Sequence, residues 1–135
     1  MSEQPPSVTL LYVEDEQLTA EAVGQDLRDA GFEIVSALNA KQAYAALEAH
    51  GETIQGVTTD INLGKGPDGW AIGKRARQTC PTMPIVYVSG ASQAEWASMG
   101  VPNSVMISKP FASMQLTVAI SSLLNATPAI SSASE

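Results

Sequence analysis

The run "VTLLYV" from Val8 to Val13 has no polar alternation. Apolar, β-branched and aromatic side chains follow one another there, which is the pattern of a strand buried on both faces. Leu18, Ala22, Leu27 and Ala30 then recur at helical spacing, and Gly31 stands where a helix ending on a left-handed residue wants glycine. "FEIVSA" predicts a second strand, followed by the alanine-rich helix "AKQAYAALEAH" with Asn39 as its cap and Gly51 as its stop. "IQGVTTD" predicts a third strand ending on Asp60. The glycines and Pro67 of "INLGKGPDGW" make a loop, Asp68 caps the helix "GWAIGKRARQTC", and Pro81 and Pro84 lead into a fourth strand, "IVYVSG". "SQAEWASMG" reads as a short, weakly patterned helix and "SVMIS" as a fifth strand. "SMQLTVAISSLL" reads as a closing amphipathic helix capped by Ser113. Residues 8–124 form the predicted domain, with residues 1–7 and the small, polar segment 125–135 expected to be flexible.

Strand and helix thus alternate five times, with no internal repeat. Strands one, three and four show near-continuous apolar runs, as a parallel sheet covered by helices on both faces requires. The expected fold is an α/β, open, doubly wound three-layer domain. In such sheets the site lies beyond the carboxyl ends of the strands, where the strand order reverses. That rule directs attention to strand ends before any motif is considered.

Composition narrows the function classes. A chain of 135 residues accommodates one ordinary domain, and 44% hydrophobic against 16% charged residues is the balance of a compact protein. The net charge of −7, with only seven Lys and Arg spread along the chain, argues against a nucleic-acid surface. The lone Cys80 allows neither an internal disulfide nor a zinc site and reads as a small side chain at a helix end. "MSEQPPS" lacks the features of a signal peptide, and no apolar stretch is long enough to span a bilayer. A soluble protein of the reducing cytoplasm, with no membrane partner, is the expectation.

The predicted strand ends carry Glu14 and Asp15, then Asp60, Ser89 and Lys109. With strands one and three adjacent at the centre of the sheet, Asp15 and Asp60 converge. Carboxylates that close raise one another's proton affinity unless a cation lies between them. With no Cys or His near, a hard ion with oxygen ligands, Mg²⁺, suits the set. Ser89 adds a hydroxyl donor and Lys109 a fixed positive charge, which together would balance the equatorial oxygens of a phosphoryl group in transfer. Asp60, already ionised at neutral pH, can then act as the nucleophile.

The ordered set Glu14–Asp15, Asp60, Ser89 and Lys109 followed by "PF" resembles the receiver domain of two-component response regulators, CheY-like, over Val8 to Leu124. The resemblance implies a five-stranded, flavodoxin-like sheet in the order 2-1-3-4-5. It implies that Asp60 accepts a phosphoryl group from a histidine kinase or phosphotransfer protein. Asp15, Asp60 and the backbone carbonyl of Asn62 would ligate Mg²⁺, with Glu14 acting through water. Ser89 would move to grip the new phosphoryl oxygen, Lys109 would pair with another, and the Lys109–Pro110 peptide would be cis. The output would be a protein contact or a phosphate sink, from a monomer or weak dimer.

Two positions depart from the family pattern. Met106 stands where most receivers carry a switching aromatic residue, and Gly64 replaces the usual proline of the loop after Asp60. "PIVYVSGA" is similar to the PFxFATGY motif of a single-domain subgroup, with Tyr87 at the second aromatic position, Ser89 in place of Thr and Gly90 retained, and with Ile85 and Ala91 missing its aromatic positions. By analogy the kinase would be of the HWE or HisKA2 type.

Other residues take plainer roles. Glu16 reads as an acidic residue at a helix N-terminus, and His50 as a helix-end residue without a ligand partner. Trp70 and Trp96 are core or interface residues, Trp96 being the better interface candidate. Lys74, Arg75 and Arg77 read as a solvated basic face. Two other functions compete. A haloacid-dehalogenase-like phosphatase would need an acid two residues after the nucleophile, where this chain has Asn62. A receiver-fold binding module that is never phosphorylated is the other.

Overall fold

The structure is a computed structural model that describes residues 7–90 and 93–126. Of the ends expected to be flexible, 1–7 and 125–135, residues 1–6 and 127–135 lie outside the described residues, as does Ala91 of the motif comparison. Ten elements alternate: β1 (Thr9–Val13), α1 (Gln17–Asp29), β2 (Glu33–Ala37), α2 (Ala40–His50), β3 (Ile54–Asp60), α3 (Gly69–Thr79), β4 (Ile85–Ser89), α4 (Gln93–Met99), β5 (Val105–Ser108) and α5 (Ser113–Ala126). The strands pair in parallel in the order β2-β1-β3-β4-β5, as the resemblance implies.

Strand alternation divides the core into two layers. Leu11, Val13, Val57, Ile85 and Tyr87 face α2 and α3, while Leu10, Tyr12, Val86, Val88 and Ile107 face α1 and α5. Every residue of β4 is buried, which is why its sequence shows no polar alternation. At Gly73 on α3 a Cβ would come within 2.2 Å of the Tyr87 hydroxyl oxygen, so glycine is what lets α3 lie against that ring. Trp70, one turn earlier, completes the contact with its ring centroid 4.7 Å from that of Tyr87.

The helix ends follow their sequence signals in most cases. Asn39 Oδ1 accepts from the Gln42 amide at 2.8 Å and Asp68 Oδ1 from the Ala71 amide at 3.1 Å. Gly31 takes φ 106° just past Ala30, the C-cap of α1. Ser113 differs. It is the first residue of α5, and its hydroxyl donates to Asp26 Oδ2 at 2.7 Å, tying α5 to α1. The entry to α5 is held instead by Gln115, whose side chain reaches back to accept from the Ala112 amide at 2.8 Å. Asn125 and Ala126, expected in the tail, close the last turn of α5. Among the described residues no helix is long and apolar enough to cross a membrane.

The basic residues of α3 are not one solvated face. Lys74 is exposed, but the Arg75 guanidinium lies 4.8 Å from the Tyr44 ring centroid. Arg77 donates to the carbonyls of Met83 at 2.7 Å, Pro102 at 2.6 Å and Asn103 at 3.3 Å. Its planar fork therefore pins the entry to β4 and the connection between α4 and β5. Trp70 is core. Trp96 is half-buried and fastened within the chain, its indole N–H donating to Ser104 Oγ at 3.0 Å.

Candidate functional site

The carboxyl ends of β1, β3, β4 and β5 meet at one edge of the sheet. Glu14 follows β1 directly, and its amide donates to the Ala37 carbonyl at 3.1 Å, extending the β1–β2 ladder by one rung. Asp60 is the last residue of β3, and the amide of the next residue, Ile61, donates to Val88 at 3.0 Å. The turn after Asp60 is tight: a Cβ on Gly69 would fall 2.3 Å from the Asp60 carbonyl oxygen. Ser89 closes β4 in a fully buried position, and its carbonyl accepts from the Lys109 amide at 2.9 Å. That bond extends the β4–β5 ladder by one rung, to Lys109. The Lys109–Pro110 peptide is cis, as the resemblance implies.

These backbone constraints gather the charged side chains. Glu14, Asp15 and Asp60 each offer a carboxylate oxygen, and the three oxygens lie within 4.8 Å of one another. Glu14 and Asp60 are buried and Asp15 is exposed. Lys109 Nζ donates to Asp60 Oδ2 at 2.8 Å. Burial pushes the Glu14 carboxyl above its usual range; the hydrogen bond from the Glu16 amide opposes that rise, and the charge of Asp60 adds to it. Burial alone would lower the proton affinity of Lys109. The bond to Asp60 and the charges of Asp60, Glu14 and Asp15 outweigh it, so the ammonium is held more firmly than usual. Three acids around one lysine leave a net negative pocket of hard oxygen donors, the chemistry that suits Mg²⁺. The donor set present here fits that ion.

The remaining predicted residues fall around this cluster. Asn62 lies exposed at the start of the loop between β3 and α3. Gly64 in the same loop takes φ +80°, with the place of a Cβ 4.0 Å from Asp15 Oδ2. Glu16 stands apart as the cap of α1. Its carboxylate accepts from the Thr19 hydroxyl and from the Thr19 amide at 3.0 Å, and these bonds hold its proton affinity below the usual carboxylate range. His50 ends α2 and lines, with Cys80, an open cavity by Ile54, at the amino end of β3. Met106 is buried and stands in register with Tyr87, whose hydroxyl accepts from the Val101 amide at 3.2 Å.

Sequence reasoning missed two hydroxyls beneath the acids. Tyr12 and Thr58 precede Glu14 and Asp60 by two residues, so the pleat puts each on the same face as the acid above it. Burial, with the charges of Glu14 and Asp60 behind it, pushes the Tyr12 phenol well above its ordinary range. The i, i+2 spacing from an acid at a strand end was the signal available for finding them.

Comparison with known proteins gives a consistent picture. The family model described as the response regulator receiver domain matches residues 10–121. The chain is similar to the crystal structure of a response regulator receiver protein from Sinorhizobium medicae WSM419, with 44% identity, a TM-score of 0.85, and coverage of 90% of this chain and 97% of that one. It is also similar to a putative response regulator from Chloroflexus aurantiacus J-10-fl, with 28% identity, a TM-score of 0.76, and coverage of 89% and 99%. A third similar structure is NtrX from Brucella abortus, with 27% identity and a TM-score of 0.79. There the match covers 96% of this chain but 29% of the other. No curated protein matches the chain.

Proposed function

Since the chain belongs to the response regulator receiver domain family of two-component systems, we propose that Asp60 is its phosphoacceptor. The observation that carries this reading is the Asp60 carboxylate itself, buried at the end of β3, paired with Lys109 at 2.8 Å and set beside Glu14 and Asp15. Receiver domains are signalling domains that exchange phosphoryl groups with histidine kinases or phosphotransfer proteins. An Asp60 oxygen attacks the phosphorus of the donor's phosphohistidine, the P–N bond breaks, and the imidazole leaves with the bonding pair and takes a proton from solvent. The Ser89 hydroxyl donates to one phosphoryl oxygen and the Lys109 ammonium pairs with another. Asp15, Asp60 and the Asn62 backbone carbonyl would hold Mg²⁺, with Glu14 reaching it through water. The ion, when bound, supplies charge neutralisation for the phosphoryl oxygens.

The reading as a single-domain regulator extends to its output. Phosphorylation shifts a two-state equilibrium and changes the affinity of the α4, β5 and α5 surface for a protein partner, or the domain drains phosphate from a kinase. The match of "PIVYVSG" to the subgroup motif supports a kinase of the HWE or HisKA2 type as donor. Asn62, two residues after Asp60, lacks the carboxyl that a haloacid-dehalogenase-like phosphatase uses on its leaving group, which favours phosphoacceptance over turnover. Intact-mass measurement after incubation with acetyl phosphate and Mg²⁺ tests the reading. One phosphoryl group is gained by the wild type, and none by Asp60→Asn or in EDTA. A gain that survives Asp60→Asn refutes it.

A further inference from the structure

Tyr12 and Thr58 are both buried, and neither hydroxyl has a hydrogen-bond partner among the described protein groups. The two residues are register partners across β1 and β3. Tyr12 packs in the layer under α1 and α5, and Gly56, two residues before Thr58, meets Leu10 and Ile120 of that same layer. Alternation therefore sets the Tyr12–Thr58 rung on one face of the sheet, directly beneath the rung that bears Glu14 and Asp60.

Buried hydroxyls in native proteins are almost always satisfied, and where protein atoms do not reach them an ordered water does. Each hydroxyl can donate, and the carboxylates above can only accept. Neither hydroxyl bonds directly to the carboxylates above it, so a contact between them calls for one bridging molecule, with bonds of ~2.8 Å on either side. Water is the small molecule that accepts twice and donates twice. We propose that a single buried water binds between Tyr12 Oη and Thr58 Oγ1, accepts from both hydroxyls, and donates to the carboxylates of Glu14 and Asp60. Tyr12 and Thr58 are then positioning residues that orient Asp60 through that water. The water site rests on the burial, register and missing partners of the two hydroxyls, whereas the positioning role rests on the reading of Asp60 as phosphoacceptor.

Two experiments on the full chain test these parts separately. High-resolution crystal structures of the wild type and Thr58→Val are expected to show one water within hydrogen-bond distance of both hydroxyls in the wild type and none in the variant. A direct bond between the two hydroxyls, or separate bonds to backbone carbonyls with no water, overturns the site. The rate of phosphorylation by acetyl phosphate with Mg²⁺ is expected to fall several-fold in Tyr12→Phe and in Thr58→Val. The double variant should be no slower than the slower single one, and Thr58→Ser should recover the wild-type rate. Losses that multiply in the double variant, or a Thr58→Ser protein as slow as Thr58→Val, overturn the positioning role. A wild type that takes no phosphoryl group at all refutes that role together with the reading of Asp60, and the density still decides the water.

Discussion

Glu14 pays for its place at the site with an unfavourable charge in the folded protein. Burial raises its proton affinity, so its contribution to stability is full below the ordinary value of 4.5 and is lost as pH rises through the raised folded value. Glu14→Gln is therefore expected to raise the melting temperature of the metal-free protein by a few degrees at neutral pH, with the gain vanishing below pH 4.5. Melts in EDTA across that range check it, and equal stability at neutral pH contradicts it. Lys109 has the complementary role. Its raised affinity contributes stability that is present below 10.5 and lost as pH climbs through the folded value. Lys109→Met leaves Asp60 buried beside two other acids. Because the lysine side chain is 39% exposed, solvent screening limits the loss to about 1 kcal/mol in EDTA, and added Mg²⁺ should shrink it. Denaturant titrations with and without Mg²⁺ measure both. The acids, Ser89 and Lys109 were legible in the sequence because each is polar at the end of an apolar run. Tyr12 and Thr58 were not, since an aromatic and a β-branched side chain inside a strand read as ordinary β-formers.

At the scale of elements, α3 follows the loop that leaves Asp60, and its two ends are fixed by different means. Asp68 caps the amino end at the close of the loop after Asp60, so Asp68→Ala is expected to cost about 1 kcal/mol. Arg77 fastens the other end to three carbonyls on two separate turns. Arg77→Met strands those carbonyls and is expected to cost about 2 kcal/mol or more. Hydrogen exchange should rise at residues 100–104 ahead of the rest of the sheet, and uniform exchange contradicts the pinning. The strands and the caps at Asn39 and Asp68 were legible because their signals are local. Arg77 was read as solvated because helical position says which face a side chain lies on. It does not say that a turn 25 residues away will pack against it. Ser113 was read as a cap for a similar reason: serine before a helix is a strong local signal, but here Gln115 holds the α5 entry and Ser113 serves the contact with α1.

For the whole molecule, the parallel sheet is what converts sequence order into a site. Glu14, Asp60, Ser89 and Lys109 stand far apart in the chain and meet because the strand order β2-β1-β3-β4-β5 brings their ends to one edge. The alternation of strand and helix was enough to foresee that edge. Its internal geometry, with Lys109 on Asp60 and Asn62 turned out to solvent, needed the structure. The central claim is that Asp60 alone takes the phosphoryl group, and an acyl phosphate is chemically distinct enough to be mapped directly. Protein treated with acetyl phosphate and Mg²⁺ is reduced with borohydride, which converts a phosphorylated aspartate to homoserine, and is then digested and sequenced by mass spectrometry. The account predicts homoserine at position 60 and at no other position. Homoserine at position 15, or a borohydride-resistant phosphate on a serine or threonine, would contradict it.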